Sequence, residues 1–569
     1  MSREGAGDSR APRAAPPTPD RHPSIFEPAT LLLGLVMAVL GAVIGIQLLT
    51  RVGITPNSSV IAAILAIALA RIPLAICRPF ASLARQNLMQ TVISGATFGG
   101  ANALLLPIGI PWLVGRPDLI LPMLAGAFLA LVVDATILYR VFDSETYPAS
   151  GLWPSGVATA EVLIAGDRGG KRAGLLAAGG AMGGVGQLLG IPMDVFGVCW
   201  IGNVWALSMF AMGLLVRGYA PPLLGIDLGD LYVPHGIMIG AGLVALVQMG
   251  RVVVSRKERL DHTEPEAPRE KPVSMPEPLE KTSSREWVPD DSAPRSRATV
   301  DGRVFGRTLG GGFVGFVLAA SLLAGLSGLA ARMGPGMLVG FVLFAALSAL
   351  VSELIVGLSA MHAGWFPAFA TALIFLVLGM LLGFPSLPLA LLVGFTAATG
   401  PAFADMGYDL KAGWVLRGEG RDPEYERQGR RQQYLAELLG FVVAAVFVLL
   451  VHERYFQADL LPPVDRVYAA TIAAGTNPTM ATSLLLWAVP GALIQGLGGS
   501  SRQLGILFAT GLLIVNPAAG WTAAVALAVR GILIRRFGRA AEGPMYIAAG
   551  GFIAGSAVTG FGIGAWRAR

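Results

Sequence analysis

The sequence predicts an all-α, polytopic membrane protein, and three observations carry that prediction. Of the 569 residues 54% are hydrophobic and only 14% charged, against about 25% charged in a soluble domain. The mean hydropathy is +0.64, and apolar runs of the roughly 20 residues needed to cross a bilayer recur along nearly the whole chain. These runs are continuous, whereas the strands of a membrane β-barrel alternate with period two.

Taken in order, residues 1–27 are polar, proline-rich and arginine-containing, and read as a disordered cytoplasmic tail rather than a cleavable signal. Candidate spans follow near 28–50, 58–77, 90–114, 119–139, 173–190, 195–216 and 233–250, with shorter broken pieces at 147–166 and 220–232. They make a first transmembrane block, 28–250. Residues 251–307, opening RVVVSRKERL, are charged and rich in Pro and Ser, and read as a solvated cytoplasmic linker with no core. Apolar runs resume near 308–331, 335–357, 364–384, 386–404, 434–452, 465–498, 502–516, 517–534 and 543–563, the second transmembrane block, 308–569. The expectation is a helical bundle of about 14–16 membrane elements in two blocks, with broken or re-entrant helices. Two blocks of similar size suggest an internal repeat.

Lys and Arg concentrate in the tail, the linker, the RRQQ stretch at 430–433 and RGILIRRFGR at 530–539, which places all four in the cytoplasm. Arg567 and Arg569 then fall on the wrong side unless 543–563 is re-entrant or the count is off by one. The net charge of +6 is modest and belongs to inward-facing loops, not to nucleic-acid binding. Cys77 and Cys199 suggest neither a disulfide framework nor a zinc site. No P-loop, GxSxG, HExxH or CxxC occurs, which argues against a built-in ATPase, a serine hydrolase or a metal site, and no cofactor is expected.

Four stretches look irregular at bilayer depth: YPASGLWPSG (147–156), GFPSLP (383–388), AATGPAF (397–403) and TNPTMA (476–481). Irregular backbone is tolerated there only where protein or a watery cavity satisfies it, so these breaks point to discontinuous helices lining a path. The glycine run at 175–190 reads as close helix packing.

Charges inside spans are costly and usually functional. Glu353 lies mid-run in LVSELIVG, where it is either a proton carrier or a buried structural hydrogen bonder. Glu161 follows the break at 147–156 and is a second proton-carrier candidate, with Asp405 a third. Asp134 is expected to pair with Arg140 at an interface, Asp194 to sit in a loop, and Lys411 to pair with Asp409 or Asp405. His362 and Trp365, in SAMHAGWFPAF, lie near a possible cavity, and Trp153 is placed either to line it or to pack.

Three stretches together resemble successive signatures of the oligopeptide transporter family, which includes the yellow stripe-like carriers. RQNLMQTVISGATFGG (85–100) matches the first through Asn87, Gln90, Thr91, Ser94 and Gly95. LWPSGVATAEVLIAG (152–166) matches the second through Pro154, Gly156, Ala158, Ala160 and Leu163. FADMGYDLKAGWVL (403–416) matches the third through Asp409, Lys411 and Gly413. The chain departs from the family pattern at Arg85 and Ser155, where acids are usual, and in the charged stretch after Leu416. The resemblance implies a bacterial-type, proton-coupled secondary carrier of short peptides or metal–chelate complexes, of about 16 membrane elements and able to self-associate as a homodimer.

The resulting reading is a symporter in the inner membrane of a prokaryote, working by alternating access around the breaks at 147–156 and 397–403. Asn87, Gln90, Thr91, Ser94, Trp153, Pro154, Ser155, Gly156, His362 and Trp365 would line the substrate path. Glu161, Glu353 and Asp405 would carry protons. An integral-membrane enzyme acting on a lipid or peptide, and a passive channel, stay open as alternatives.

Overall fold

The structure, a computed structural model, describes residues 21–53, 58–166, 171–261, 299–363, 368–475 and 477–567. Within them the chain forms twenty-one α-helices, and the nearest thing to a strand is one bridge between Ser144 and Val300. Eleven helices are long and apolar enough to cross a membrane, and five shorter apolar ones join them. Together they match the expected number of membrane elements. Large apolar side chains such as Leu450, Leu486 and Leu497 are exposed, as lipid-facing ones are.

The first half runs α1 (Pro28–Val52), α2 (Ser58–Ala70), α3 (Leu83–Phe98), α4 (Leu106–Leu113), α5 (Ile120–Val141), α6 (Pro154–Gly166), α7 (Lys171–Leu188), α8 (Met193–Ile201), α9 (Val204–Leu224) and α10 (Val233–Asp261). A π-helical turn, Gly99–Leu105, joins α3 to α4. After α11 (Gly302–Leu326) the same order of lengths returns. It comprises α12 (Pro335–Ala363), α13 (Ala368–Leu381), α14 (Ser386–Ala398), α15 (Pro401–Leu416), α16 (Pro423–Gln457), α17 (Pro463–Ala474), α18 (Pro478–Arg502), α19 (Leu504–Leu513), α20 (Pro517–Phe537) and α21 (Glu542–Arg567).

The packing is reciprocal, as a two-fold relation requires. α7 lies on α21, with Gly183 against Phe552, and the equivalent pair α10 and α18 meets at Gly240 and Ala488. α9 packs on α19 and α8 on α20. A sequence trace of the repeat survives here. Asn203 and Asn516 cap α9 and α20 through their side-chain oxygens, and Val-Arg-Gly follows at 216–218 and again at 529–531. Because α11 intervenes, α12 starts at the opposite end of the bundle from α1, so the halves are inverted.

One end of the bundle carries the N-terminal segment and the linker attachment. His22 N–H donates to Gln428 and Thr299 Oγ1 donates to Asp143. Burial, aided by the nearby Arg417 charge, pushes the His22 imidazole down to about 4, so it docks neutral. The far end holds Arg51, Asp227, Asp459 and Arg466.

Local sequence explains the element starts. Proline occupies the first turn of α1, α15, α16, α17, α18 and α20, where its missing N–H costs nothing. Asn203, Asp422, Asn477 and Asn516 cap the first amides of their helices.

Several expected spans are redrawn. The run 195–216 is two helices parted at Gly202, and 465–498 is α17 plus α18. The piece at 220–232 is the end of α9 and a connection, because Gly225 adopts a left-handed cap that stops the helix. GFPSLP at 383–388 is a turn between α13 and α14 beside exposed Leu381 and Leu382, not a break at depth. Residues 251–261 continue α10 and 302–307 begin α11; most of the expected linker, 262–298, lies outside the described residues.

Glycine makes these close crossings possible at specific positions. A Cβ on Gly240 would press into the Ala488 backbone, whereas one on Gly306 would meet nothing. Gly240→Ala should therefore lower the melting temperature of the detergent-solubilised protein, by the equivalent of about 1–3 kcal/mol. Gly306→Ala should leave it unchanged or slightly raised. Equal effects of the two would remove the close-packing account of α10 and α18.

Candidate functional site

Helix breaks converge on one central cavity of about 440 Å³. Its walls include Gly53 and Ser58 at the α1–α2 junction, Asn102 of the π-turn, Ser155 at the start of α6, and Gly202 and Asn203 between α8 and α9. Pro401 and Asp405 come from the α14–α15 break, and Gln503 from the α18–α19 junction. The π-turn and the α14–α15 break occupy equivalent places in the two halves, so both halves are irregular at the same depth.

Several interruptions are served by a charged side chain from elsewhere in the bundle. Asp134 Oδ2 accepts from Gly400 N–H at 3.2 Å and Phe403 N–H at 2.9 Å, capping α15 across the bundle. Arg530 donates to the carbonyls of Cys199 and Gly202 at 2.9 and 2.6 Å. Lys411 Nζ donates to the Ala149 carbonyl at 2.8 Å and lies over the Trp414 ring. Arg430 donates to the Phe142 carbonyl. These charges are committed to backbone.

A second set of acids serves no backbone amide. Asp405 and Asp409 are one turn apart on α15, hence on one face, and Glu437 reaches them from α16. One oxygen from each lies within 4.8 Å of the others, and all three residues are buried. Helix α3 supplies the wall opposite. Ser94 Oγ donates to Asp405 Oδ2 at 2.9 Å, Ser58 and Ser59 donate to Asp405 Oδ1, and Gln90 Nε2 donates to Asp409 Oδ1 at 2.6 Å. Asp409 Oδ2 and both Glu437 oxygens accept no hydrogen bond from a donor among the described residues. Gly95 leaves the room that Glu437 fills, for a Cβ there would come within 2.9 Å of its carboxyl carbon.

The expected path residues divide clearly. Asn87 donates to Gln90, and Thr91 accepts from Gln433, so with Ser94 the four expected path residues of the first signature are buried around the acids. Ser155 lines the cavity; Gly156 lets α6 approach Tyr408 and Lys411 of α15, and Pro154 is exposed at the first turn of α6. Gly413 abuts Gln433 and Arg417. Trp153 is fully buried, with its Nε1–H on the Pro148 carbonyl and its ring against Gly407, a packing role. His362 is half-buried near the end of α12, and Trp365 lies outside the described residues.

Four charge assignments change. Glu161 is exposed on the outer face of α6, because its helix turns that side away from α15. Asp134 caps α15 rather than pairing at an interface. Lys411 points to Ala149, since two residues along a helix from Asp409 is nearly the opposite face. Asp194 is also helical, buried in the first turn of α8. Glu353 is fully buried with its carboxyl beside that of Asp134 and lines neither described cavity.

Sequence reasoning missed Glu437, Ser58, Ser59 and Asp465, the last a buried acid against Gly109. Glu437 follows the RRQQ cluster closely enough to read as an interfacial charge. Its spacing of one turn from Gln433 was the available signal.

A family model described as oligopeptide transporter protein matches residues 28–255 and 307–566. The chain belongs to the oligopeptide transporter family. It is thus a membrane transporter and not an enzyme. No significant match was found among curated proteins or among solved structures. The two matched segments of this family member cover nearly all of the inverted halves and of α11, so cavity and acid cluster both lie within the matched sequence.

The sorting of acids has a direct consequence. Asp134→Ala should lower detergent-phase stability by about 1–3 kcal/mol, the cost of leaving buried amides unpaired. Asp409→Asn should leave the melting temperature near wild type, because no backbone amide depends on it and the asparagine oxygen can still accept from Gln90. Melting curves in which Asp409→Asn is the more damaging would reverse the assignment.

Proposed function

We propose that this carrier moves short peptides or peptide-like metal chelates by proton-coupled alternating access, with Asp405, Asp409 and Glu437 as the coupling site. The observation that carries the proposal is that Asp405 belongs at once to the central cavity wall and to the buried acid cluster. Three carboxyls in contact, with no cation paired to them among the described residues, cannot all be ionised in a low-dielectric interior, so they hold protons that can be exchanged. Solute in the cavity changes the environment of Asp405 directly, and Ser58, Ser59 and Ser94 can follow its protonation by rotating hydroxyls.

Alternating access is supported by the unequal state of the two halves. At Gly202 the break is closed by Arg530. The equivalent Arg217 instead donates to Asp227 and faces a wide cavity of about 730 Å³ at the far end. Only a thin layer divides that cavity from the central one: Gly53, left-handed, packs on Thr510 and Pro463 there. Exchange of the two conformations between inverted halves would open the linker end instead. The tail, linker and RRQQ stretch are assigned to the cytoplasm by their positive charge, which makes the wide cavity outward-facing in this reading; the membrane is read as the inner membrane of a prokaryote.

The cluster also suits a metal or sodium ion, since three carboxylate oxygens in contact are hard-cation ligands, and cation coupling is the second reading. Vesicles containing the purified protein decide between them. An inward proton gradient should drive accumulation of trialanine, a protonophore should collapse it, and Asp409→Asn should cut accumulation about tenfold or more while sparing solute exchange. Accumulation that follows a sodium gradient and ignores the protonophore would select the second reading. Equal activity of the variant in both assays would remove the cluster from coupling.

A further inference from the structure

The wide far-end cavity contains three guanidinium groups with unequal partners. Arg217 is paired with Asp227, and Arg466 with Asp459 at 2.7 Å. Arg51, in the last turn of α1, forms no ion pair with any described residue, and its Nε is buried without a hydrogen-bond partner. Asp194 is the nearest acid that could neutralise it, yet the Asp194 Oδ1 accepts from its own Val195 N–H and the residue is 2% exposed. A basic residue in a last turn does complement the helix dipole. That account requires only a charge near the helix end; it leaves unexplained a guanidinium turned into a cavity with a donor unmet.

The surroundings keep that guanidinium in place. Its terminal nitrogens lie over Gly560 of α21, where a Cβ would come within 3.3 Å of them. Gln187 and Asn516 line the same cavity and bring further polar groups, and His235 adds a ring nitrogen, Nδ1, that is buried without a partner. At about 730 Å³ the cavity lies within the usual range for small-ligand sites. The thin layer at Gly53 and Pro463 sets it directly before the central cavity.

We propose that Arg51 is the carboxylate-binding residue of this cavity and holds the C-terminal carboxylate of a short peptide before the peptide passes inward. This rests on the transport reading above and names the solute group that the far-end cavity selects. A guanidinium offers two parallel N–H donors that match a carboxylate's two oxygens, so binding is both charge-assisted and directional. A lysine could supply the charge but not the fork. Arg217 and Arg466 are each paired with an acid, which leaves Arg51 as the guanidinium of this cavity without an ion pair among the described residues.

The test uses full-length protein in lipid nanodiscs and two probes, trialanine and trialanine amide, which differ only in the terminal carboxylate. Calorimetric titration of wild type should give about tenfold or greater preference for the acid. Arg51→Gln should erase that preference, and Arg51→Lys should restore part of it. Equal binding of the two probes by wild type, an undiminished preference in Arg51→Gln, or no saturable binding of either probe would each overturn the proposal. The wild-type comparison needs no variant to fold. Trialanine uptake in vesicles separates the two levels: uptake that Arg51→Gln leaves intact sinks the Arg51 assignment and spares the carrier, whereas absent uptake in wild type sinks the carrier reading itself.

Discussion

A helix interrupted inside an apolar slab frees amides and carbonyls that lipid cannot satisfy, and this constraint organises the whole molecule. Asp134 answers it at Gly400 and Phe403, Arg530 at Cys199 and Gly202, Lys411 at Ala149 and Arg430 at Phe142. Each of these charged groups comes from a helix remote in sequence from the break it serves. The breaks therefore hold only while the bundle is assembled, and they hold the bundle together in turn. An unpaired buried charge would be far more costly than any of these bonds is stabilising, so removing one partner costs more than the bond itself is worth.

Once those charges are set aside, the rest can be read for chemistry. Asp405, Asp409 and Glu437 serve no backbone amide and face the opposite wall of α3, and Asp405 also lines the cavity where the breaks meet. The two inverted halves give this site its neighbours. The same Val-Arg-Gly turn places Arg217 and Arg530 at equivalent points, yet one guanidinium is spent on backbone and the other faces an open chamber. Equivalent groups thus take two different arrangements in the two halves, which is the asymmetry on which the proposed alternation rests.

Much of the fold was legible because its signals are local. Continuous apolar runs gave the helical membrane class, and proline and asparagine at the starts of α9, α15, α18 and α20 mark where helices resume. The first family signature was legible as a set because Gln90 and Ser94, one turn apart, face Asp409 and Asp405, one turn apart on another helix. What could not be read was direction around each helix. Glu161 follows a break, as a functional acid would, but its side of α6 points outward. Asp134 was assigned to Arg140 by proximity in sequence, whereas its true partners lie on α15. Glu437 was overlooked because a charge near a basic cluster reads as solvated until α3 and α15 are seen to enclose it. Non-local pairing decided all three.

The central claim is that the breaks enclose a wet, accessible cavity rather than a dry core. Single cysteines at Ser58, Asn102 and Ser155 test it, in protein whose buried native Cys77 and Cys199 are replaced by serine, using a membrane-impermeant thiol reagent on reconstituted vesicles. Cysteine at Thr371, buried against Ser352, gives the dry reference. The account predicts that all three cavity positions react well above that reference and are slowed by bound solute. Reaction no faster than at Thr371 would contradict it.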